Sequence, residues 1–161
     1  GDVVMSTPGL AALRAAWPEA EIVAQLPAPL RPLLEGSGLV DAIWSVPSRS
    51  EGWLAFARAA RRIADHGFDL GIALPESISS ALLMRLGAVG RVVGYARDPL
   101  RAWLLDERVE ADPAWGRRRL VARERFVLRL MEAVGAEAED GAADGTAAGG
   151  AAGATSAFAG R

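Results

Sequence analysis

No cysteine and no lysine occur among the 161 residues, and there is a single histidine, His66. The first absence excludes disulfides, thiolate nucleophiles and cysteine-ligated zinc. One imidazole is too little for a histidine metal site or a Ser/His pair, so any chemistry must rest on carboxylates, hydroxyls and arginines. No apolar run reaches the ~20 residues that a membrane span needs, and the opening residues do not read as a signal peptide. All 18 basic residues are arginine, which beside the heavy use of Ala and Gly reads as GC-rich coding rather than a chemical choice. The net charge of −2 argues against a nucleic-acid partner, whose signature is a basic stripe. A P-loop, a zinc signature and a Gly-x-Ser-x-Gly elbow are also missing. "GSG" at 36–38 precedes an apolar run instead of following one, so it does not fit a dinucleotide-binding loop.

What is present is a chain of one-domain length, 51% hydrophobic and 24% charged. Short apolar runs bounded by Pro or Gly occur at 21–26, 39–46, 68–74 and 91–95, each the length of a buried strand. Helical periodicity fills the gaps. Leu10, Leu13 and Trp17 share one face of a helix that Thr7 caps, Pro8 opens and Pro18 ends. Trp53, Phe56, Ala57, Ala60, Ile63 and Ala64 make an apolar stripe on a second helix, with Arg58, Arg61, Arg62 and Asp65 away from it. A last helix is expected over 113–134, with Val127, Leu130, Met131 and Val134 on one side. Strands apolar on both faces, alternating with helices, imply an α/β, Rossmann-like parallel sheet with helices on both faces. From 136 to 161 the chain repeats Gly and Ala without periodicity and is expected to be a disordered tail.

Residue by residue, the polar candidates have ordinary readings as well as functional ones. Asp2 stands at the start of the first helical pattern, where a carboxylate serves as a cap or dipole partner. Ser6 and Thr7 read as caps. Ser77, Ser79 and Ser80 follow the carboxyl end of a strand, the edge where ligands bind in open parallel sheets, and can either cap a helix or present hydroxyls to a ligand. Arg97 and Arg101 lie just past the 91–95 run near the same edge, suited to an anionic ligand or to solvent. "GRRRL" around 117–119 reads as a solvated helix start, and His66 as the end of a helix before Gly67.

The order of these motifs resembles the N-terminal half of glycosyltransferase family 9, the ADP-heptose:lipopolysaccharide heptosyltransferases, in its heptosyltransferase II-like branch. The resemblance covers about residues 1–134. It is carried by "GDVVMSTPGLAALRAAWPEAEI", by "GFDLGIALPESISSALLMRLGAVGRVVGY" and by "LVARERFVLRLMEAVG". In the family the second stretch contains a loop of the form PNSFKSAL, so Glu76 and Ser79 stand where Asn and Lys are usual. The resemblance implies a two-domain GT-B enzyme of which residues 1–135 are the acceptor-side domain, lacking its first strand, with the donor half absent. Such a piece is expected to be inactive alone. By the same resemblance, Asp2 matches the general base of an inverting transfer, and Ser77, Ser79, Arg97 and Arg101 are acceptor-binding candidates. The implied partners are an ADP-heptose donor, held by the absent half, and a lipopolysaccharide core acceptor. Neither metal nor cofactor is expected. The implied location is the cytoplasm, with peripheral contact with the inner membrane left open. The competing reading is a non-catalytic Rossmann-like binding module.

Overall fold

In the computed structural model, residues 2–96, 98–110, 123–136 and 156–160 are described, and the side chains of Asp2, Arg49, Arg123 and 156–160 lie outside that description. Each apolar run forms a strand: β1 (Glu21–Leu26), β2 (Ala42–Ser45), β3 (Leu70–Ala73) and β4 (Arg91–Tyr95). β1 pairs with β2 and β3 with β4, both in parallel, and a fifth strand, β5 (Glu107–Val109), adds to β4 in parallel. Three residues, two of them charged, make no apolar run, which is why periodicity does not reveal β5.

Between the strands lie α1 (Asp2–Met5), α2 (Thr7–Ala16), α3 (Gly52–His66), α4 (Ile78–Leu86), α5 (Pro99–Leu104) and α6 (Arg123–Ala133). Short 3-10 turns occupy Ala28–Leu33 and Arg49–Glu51. The expected cap of α2 shifts by one residue to Ser6, while the Thr7 hydroxyl donates to the Val4 carbonyl at 2.7 Å. α3 ends as expected, on Gly67 at φ 75°, a left-handed conformation that favours glycine. The helix expected over 113–134 is seen as α6, and residues 111–122 lie outside the described residues.

The C-terminal stretch departs from the expected disorder at two places. Ala136 is fully buried, and Ser156–Gly160 form β6, inserted between β1 and β3 and antiparallel to both. The strand order is therefore β2-β1-β6-β3-β4-β5. Backbone pairing explains the difference: β6 satisfies N–H and C=O groups of β1 and β3, a gain that is independent of the apolar content by which disorder was inferred. Residues 137–155 lie outside the described residues.

Side chains alternate across the sheet, as the pleat requires. Ile22, Ile72, Val93 and Tyr95 face α2 and α6, where Leu13, Phe126, Val127, Leu130 and Met131 complete one core. Val23, Ala73 and Val92 face α3 and α4, packing with Ile63, Ala81, Leu83 and Met84. Gly9 lets α2 approach α6 closely, since a Cβ there would collide with a methyl of Val127. Within α3 the inferred stripe holds at Ala60 and Ile63, which are buried, but Trp53 is 65% exposed. Trp53, in the first turn of α3, stands clear of the core, whereas Phe56 packs against it.

Two aspartates fix the starts of the outer strands in the same way. Asp41, just before β2, donates its N–H to the Ile22 carbonyl at 2.8 Å, and its carboxylate accepts from the Ile22 N–H at 2.7 Å and from Arg14 at 2.5 Å. Asp106, just before β5, bonds Val92 and Arg85 in the same pattern. The Ile22 N–H, followed by Arg14, holds the Asp41 carboxyl below its ordinary 3.8. A depressed folded-state pKa contributes stability that is fully present above 3.8 and is lost as pH falls through the lower folded value. Asp41→Asn should therefore lower Tm near neutral pH, with the gap to wild type closing below pH 3.8. Thermal melts across pH 2–7 check this, and a gap independent of pH would contradict it.

Candidate functional site

The carboxyl ends of β1 and β3 open toward the first turns of α3 and α4. On β1 the side chains of Val23 and Gln25 share the α3/α4 face, because residues two apart point the same way. Val23 is covered by the core, whereas Gln25 reaches beyond it into a cleft of about 360 Å³. Ser48, Trp53 and Phe56 form one wall of this cleft, and Ser77, Ser79 and Ser80 the other. A broader depression continues from it past Glu51, Arg58 and Arg62. The approach to α3 is held by a capping box in which the Ser48 N–H donates to Glu51 at 2.5 Å, a bond that holds the Glu51 carboxyl below its ordinary range. Trp53 then stacks on Phe56, with centroids 5.7 Å apart.

The serine wall is a helix start. Ser77 caps α4, its Oγ accepting from the Ser80 N–H at 3.3 Å, and the Ser79 hydroxyl donates to Ser77 Oγ at 3.3 Å. Capping and exposure to the cleft coexist: Ser77 is half-buried, Ser79 is exposed, and both line the cleft. α4 thus directs the positive end of its dipole toward the same opening.

Arg101 departs from the expectation of a side chain reaching toward a ligand. It is fully buried. Its Nε donates to the Tyr95 carbonyl at 2.7 Å and its Nη2 to the Ala73 carbonyl at 3.3 Å. Nη1 donates to the Ser77 carbonyl and to Ser80 Oγ. One guanidinium therefore ties the ends of β3 and β4 to the start of α4. Burial pushes its pKa down, while the charges of Glu76 and Asp98 favour the protonated form. The local sequence explains the placement. Asp98 caps α5, accepting from the Arg101 N–H at 2.9 Å, Pro99 opens it, and Arg101 then shares the buried face with Leu104 and Leu105 at i+3 and i+4. Leu100 and Trp103 are left exposed on the same helix, the reverse of what hydropathy suggests.

Of the remaining candidates, Arg97 lies outside the described residues. Asp2 begins α1, and its side chain lies outside the description. The helix itself is placed by Val3, buried in a cluster with Leu10, Ala24, Leu26 and Leu34. It packs against the turn at Ala28–Leu33 that follows β1, so α1 sits at the same carboxyl edge as the cleft. Gln25 and Trp53 were absent from the sequence-based candidates. The available signal was a glutamine in a strand that is otherwise apolar on both faces. Among the described residues no group of acidic, His or Cys side chains could hold a metal ion, and no helix is long and apolar enough to cross a membrane.

No protein-family model matches the sequence, and no curated protein matches it. Solved structures do. The fold is similar to that of a glycosyltransferase family 9 protein from Veillonella parvula DSM 2008, with a TM-score of 0.70 and 21% identity over 84% of this chain and 38% of that one. It is also similar to the E. coli ADP-heptose LPS heptosyltransferase II, with a TM-score of 0.60 and 26% identity over 79% of this chain and 37% of that one. The chain thus spans less than two fifths of the length of either structure. The Rossmann-like arrangement inferred from the alternation of strands and helices is the one these proteins share.

The Arg101 hydrogen bonds make a specific prediction about stability. Arg101→Lys keeps the charge but not the fork, and should cost ~2 kcal/mol. Arg101→Met leaves buried carbonyls unpaired and Glu76 and Asp98 without their counter-charge, and should cost ~3 to 5 kcal/mol. Urea denaturation measures both. A loss below ~0.5 kcal/mol, the usual range of surface substitutions, would contradict the tie.

Proposed function

We propose that this chain is the acceptor-side domain of an inverting, heptosyltransferase-like glycosyltransferase. The observation that carries the reading is the placement of α1, and with it the backbone of Asp2, at the carboxyl edge that also holds the cleft, in a fold similar to that of the heptosyltransferase. Ligands of open parallel sheets bind at that edge.

In the proposed reaction the acceptor hydroxyl oxygen attacks the anomeric carbon of ADP-heptose. Its proton passes to the Asp2 carboxylate, and the bond from the anomeric carbon to the ADP oxygen breaks, releasing ADP with inversion. A carboxylate suits that role because it must be ionised at neutral pH and within hydrogen-bond reach of the hydroxyl. Ser77 and Ser79 would contact acceptor hydroxyls from the start of α4. Arg101 acts as a positioning residue, holding that helix start in place, and Arg97 would meet anionic groups of a lipopolysaccharide core. The donor would be held by a second domain, as in the two-domain architecture that the resemblance implies, and the cytoplasmic face of the inner membrane is the proposed place of work.

The test is Asp2→Asn in a protein that joins this domain to its donor-binding half. Asparagine caps a helix about as well as aspartate but cannot take the proton. If Asp2 is the base, kcat for heptose transfer should fall ~10² to 10⁴-fold with an unchanged melting temperature. Near-normal turnover in a normally folded variant would return Asp2 to helix capping, whereas no transfer by the unaltered two-domain protein would favour the non-catalytic binding module.

A further inference from the structure

β6 is an antiparallel strand at the centre of a sheet whose other described pairings are parallel. It lies between β1 and β3, whereas β1 with β2, β3 with β4 and β4 with β5 all run in parallel. In doubly wound sheets an antiparallel strand ordinarily takes an edge. Because β6 opposes both of its neighbours, β1 and β3 run the same way, and two parallel strands frame the slot between them. With β6 set aside, the strands β2-β1-slot-β3-β4-β5 follow the doubly wound order 3-2-1-4-5-6, and the slot falls at the position of strand 1.

The surroundings of the slot suit a different occupant. Ile22 and Ile72 are buried on the α2/α6 side of the flanking strands, and Val23 and Ala73 on the α3/α4 side. Strands covered on both faces are ordinarily runs of Val, Ile and Leu. The sequence of β6, SAFAG, has one large apolar residue, and its Ala and Gly are residue types depleted in strands. Polarity points the same way. β6 enters at the carboxyl edge with Ser156 opposite Gln25 and leaves at the amino edge with Gly160 opposite Glu21. A strand of the other polarity would end at the carboxyl edge, where Val3 of α1 packs with Ala24 and Leu26.

We infer that the slot is a strand-acceptor site and β6 its exchangeable occupant. The segment it fits best is apolar on both faces, runs parallel to β1 and β3, and leads directly into α1. Such a segment would satisfy the same backbone groups of β1 and β3 while burying larger side chains between the two helical layers. Its connection through α1 and α2 to β1 would be a helical crossover, the link that parallel strands require. β6 holds the slot when no such segment competes, because membership of the same chain keeps its effective concentration high. Exchange would replace Ser156 at the carboxyl edge with the end of a strand entering α1. The inference stands on sheet topology and is independent of the acceptor-side reading.

Amide hydrogen exchange tests it on the 161-residue chain and on two extended forms. One form carries, before Gly1, a strand of about five Val and Ile residues and a turn of about three Gly and Ser residues. The other carries an extension of equal length made only of Gly and Ser. In the unextended and Gly/Ser chains, amides 157–159 should exchange at least ~100-fold more slowly than in an unstructured chain. In the Val/Ile chain they should exchange freely, while the amides of β1 and β3 keep their protection. Ala157→Pro removes an N–H from a strand paired on both sides. It should lower Tm by ~5 °C or more in the unextended chain and by less than ~1 °C in the Val/Ile chain. Continued protection of 157–159 in the Val/Ile chain, failure of that chain to fold, or an equal effect of Ala157→Pro in both chains would overturn the inference. Free exchange of 157–159 in the unextended chain would overturn it as well.

Discussion

A buried guanidinium organises the carboxyl edge of the sheet. Desolvating the charge of Arg101 is tolerable only because its N–H groups reach acceptors on three segments, the ends of β3 and β4 and the start of α4, with Glu76 and Asp98 supplying opposite charge. The serine wall of the cleft inherits its position from these bonds. Arg101 donates to the carbonyl of the residue that caps α4 and to the hydroxyl of Ser80, so the helix start cannot shift without breaking them. The opposite wall depends on local bonds, the capping box at Ser48 and Glu51 and the stacking of Trp53 on Phe56. Between the two walls the buried Gln25 lines the cleft. One end of the sheet thus holds two buried polar side chains, Arg101 and Gln25.

Much of this architecture was legible in the sequence because its signals are local. The runs at 21–26 and 91–95 match β1 and β4 residue for residue, and the capping logic around Gly67 and α2 holds to within one position. The failures share a cause, since each depends on what a segment meets in three dimensions. β5 is charged in sequence and is made a strand by the edge of β4. β6 is low in large apolar side chains and is a strand because β1 and β3 present backbone groups on either side of it. Trp53 fits the helical stripe but is exposed beside the cleft. Arg101 reads as facing a ligand or solvent, yet α5 turns it inward, and only its spacing to Leu104 and Leu105 hints at that. Of the two readings open to the serines, Ser77 caps α4, and Ser77, Ser79 and Ser80 also line the cleft, because a helix start at a strand's carboxyl end can do both at once.

The charge pattern of the cleft bears on specificity. In the family that the sequence resembles, the loop before α4 carries Asn and Lys where this chain has Glu76 and Ser79. Here the cation is replaced by a hydroxyl, and the carboxylate of Glu76 supports Arg101 electrostatically. The described residues that line the inner cleft carry no charge, and Arg58 and Arg62 line the outer depression.

The central claim is that this carboxyl edge receives the acceptor and not the nucleotide. Its most direct test is a comparison of backbone amide shifts in the chain after separate addition of a lipopolysaccharide inner-core oligosaccharide and of ADP. The account predicts that the oligosaccharide perturbs residues 46–56 and 75–83 while ADP leaves them unmoved. Perturbation of those residues by ADP, with none from the oligosaccharide, would contradict it.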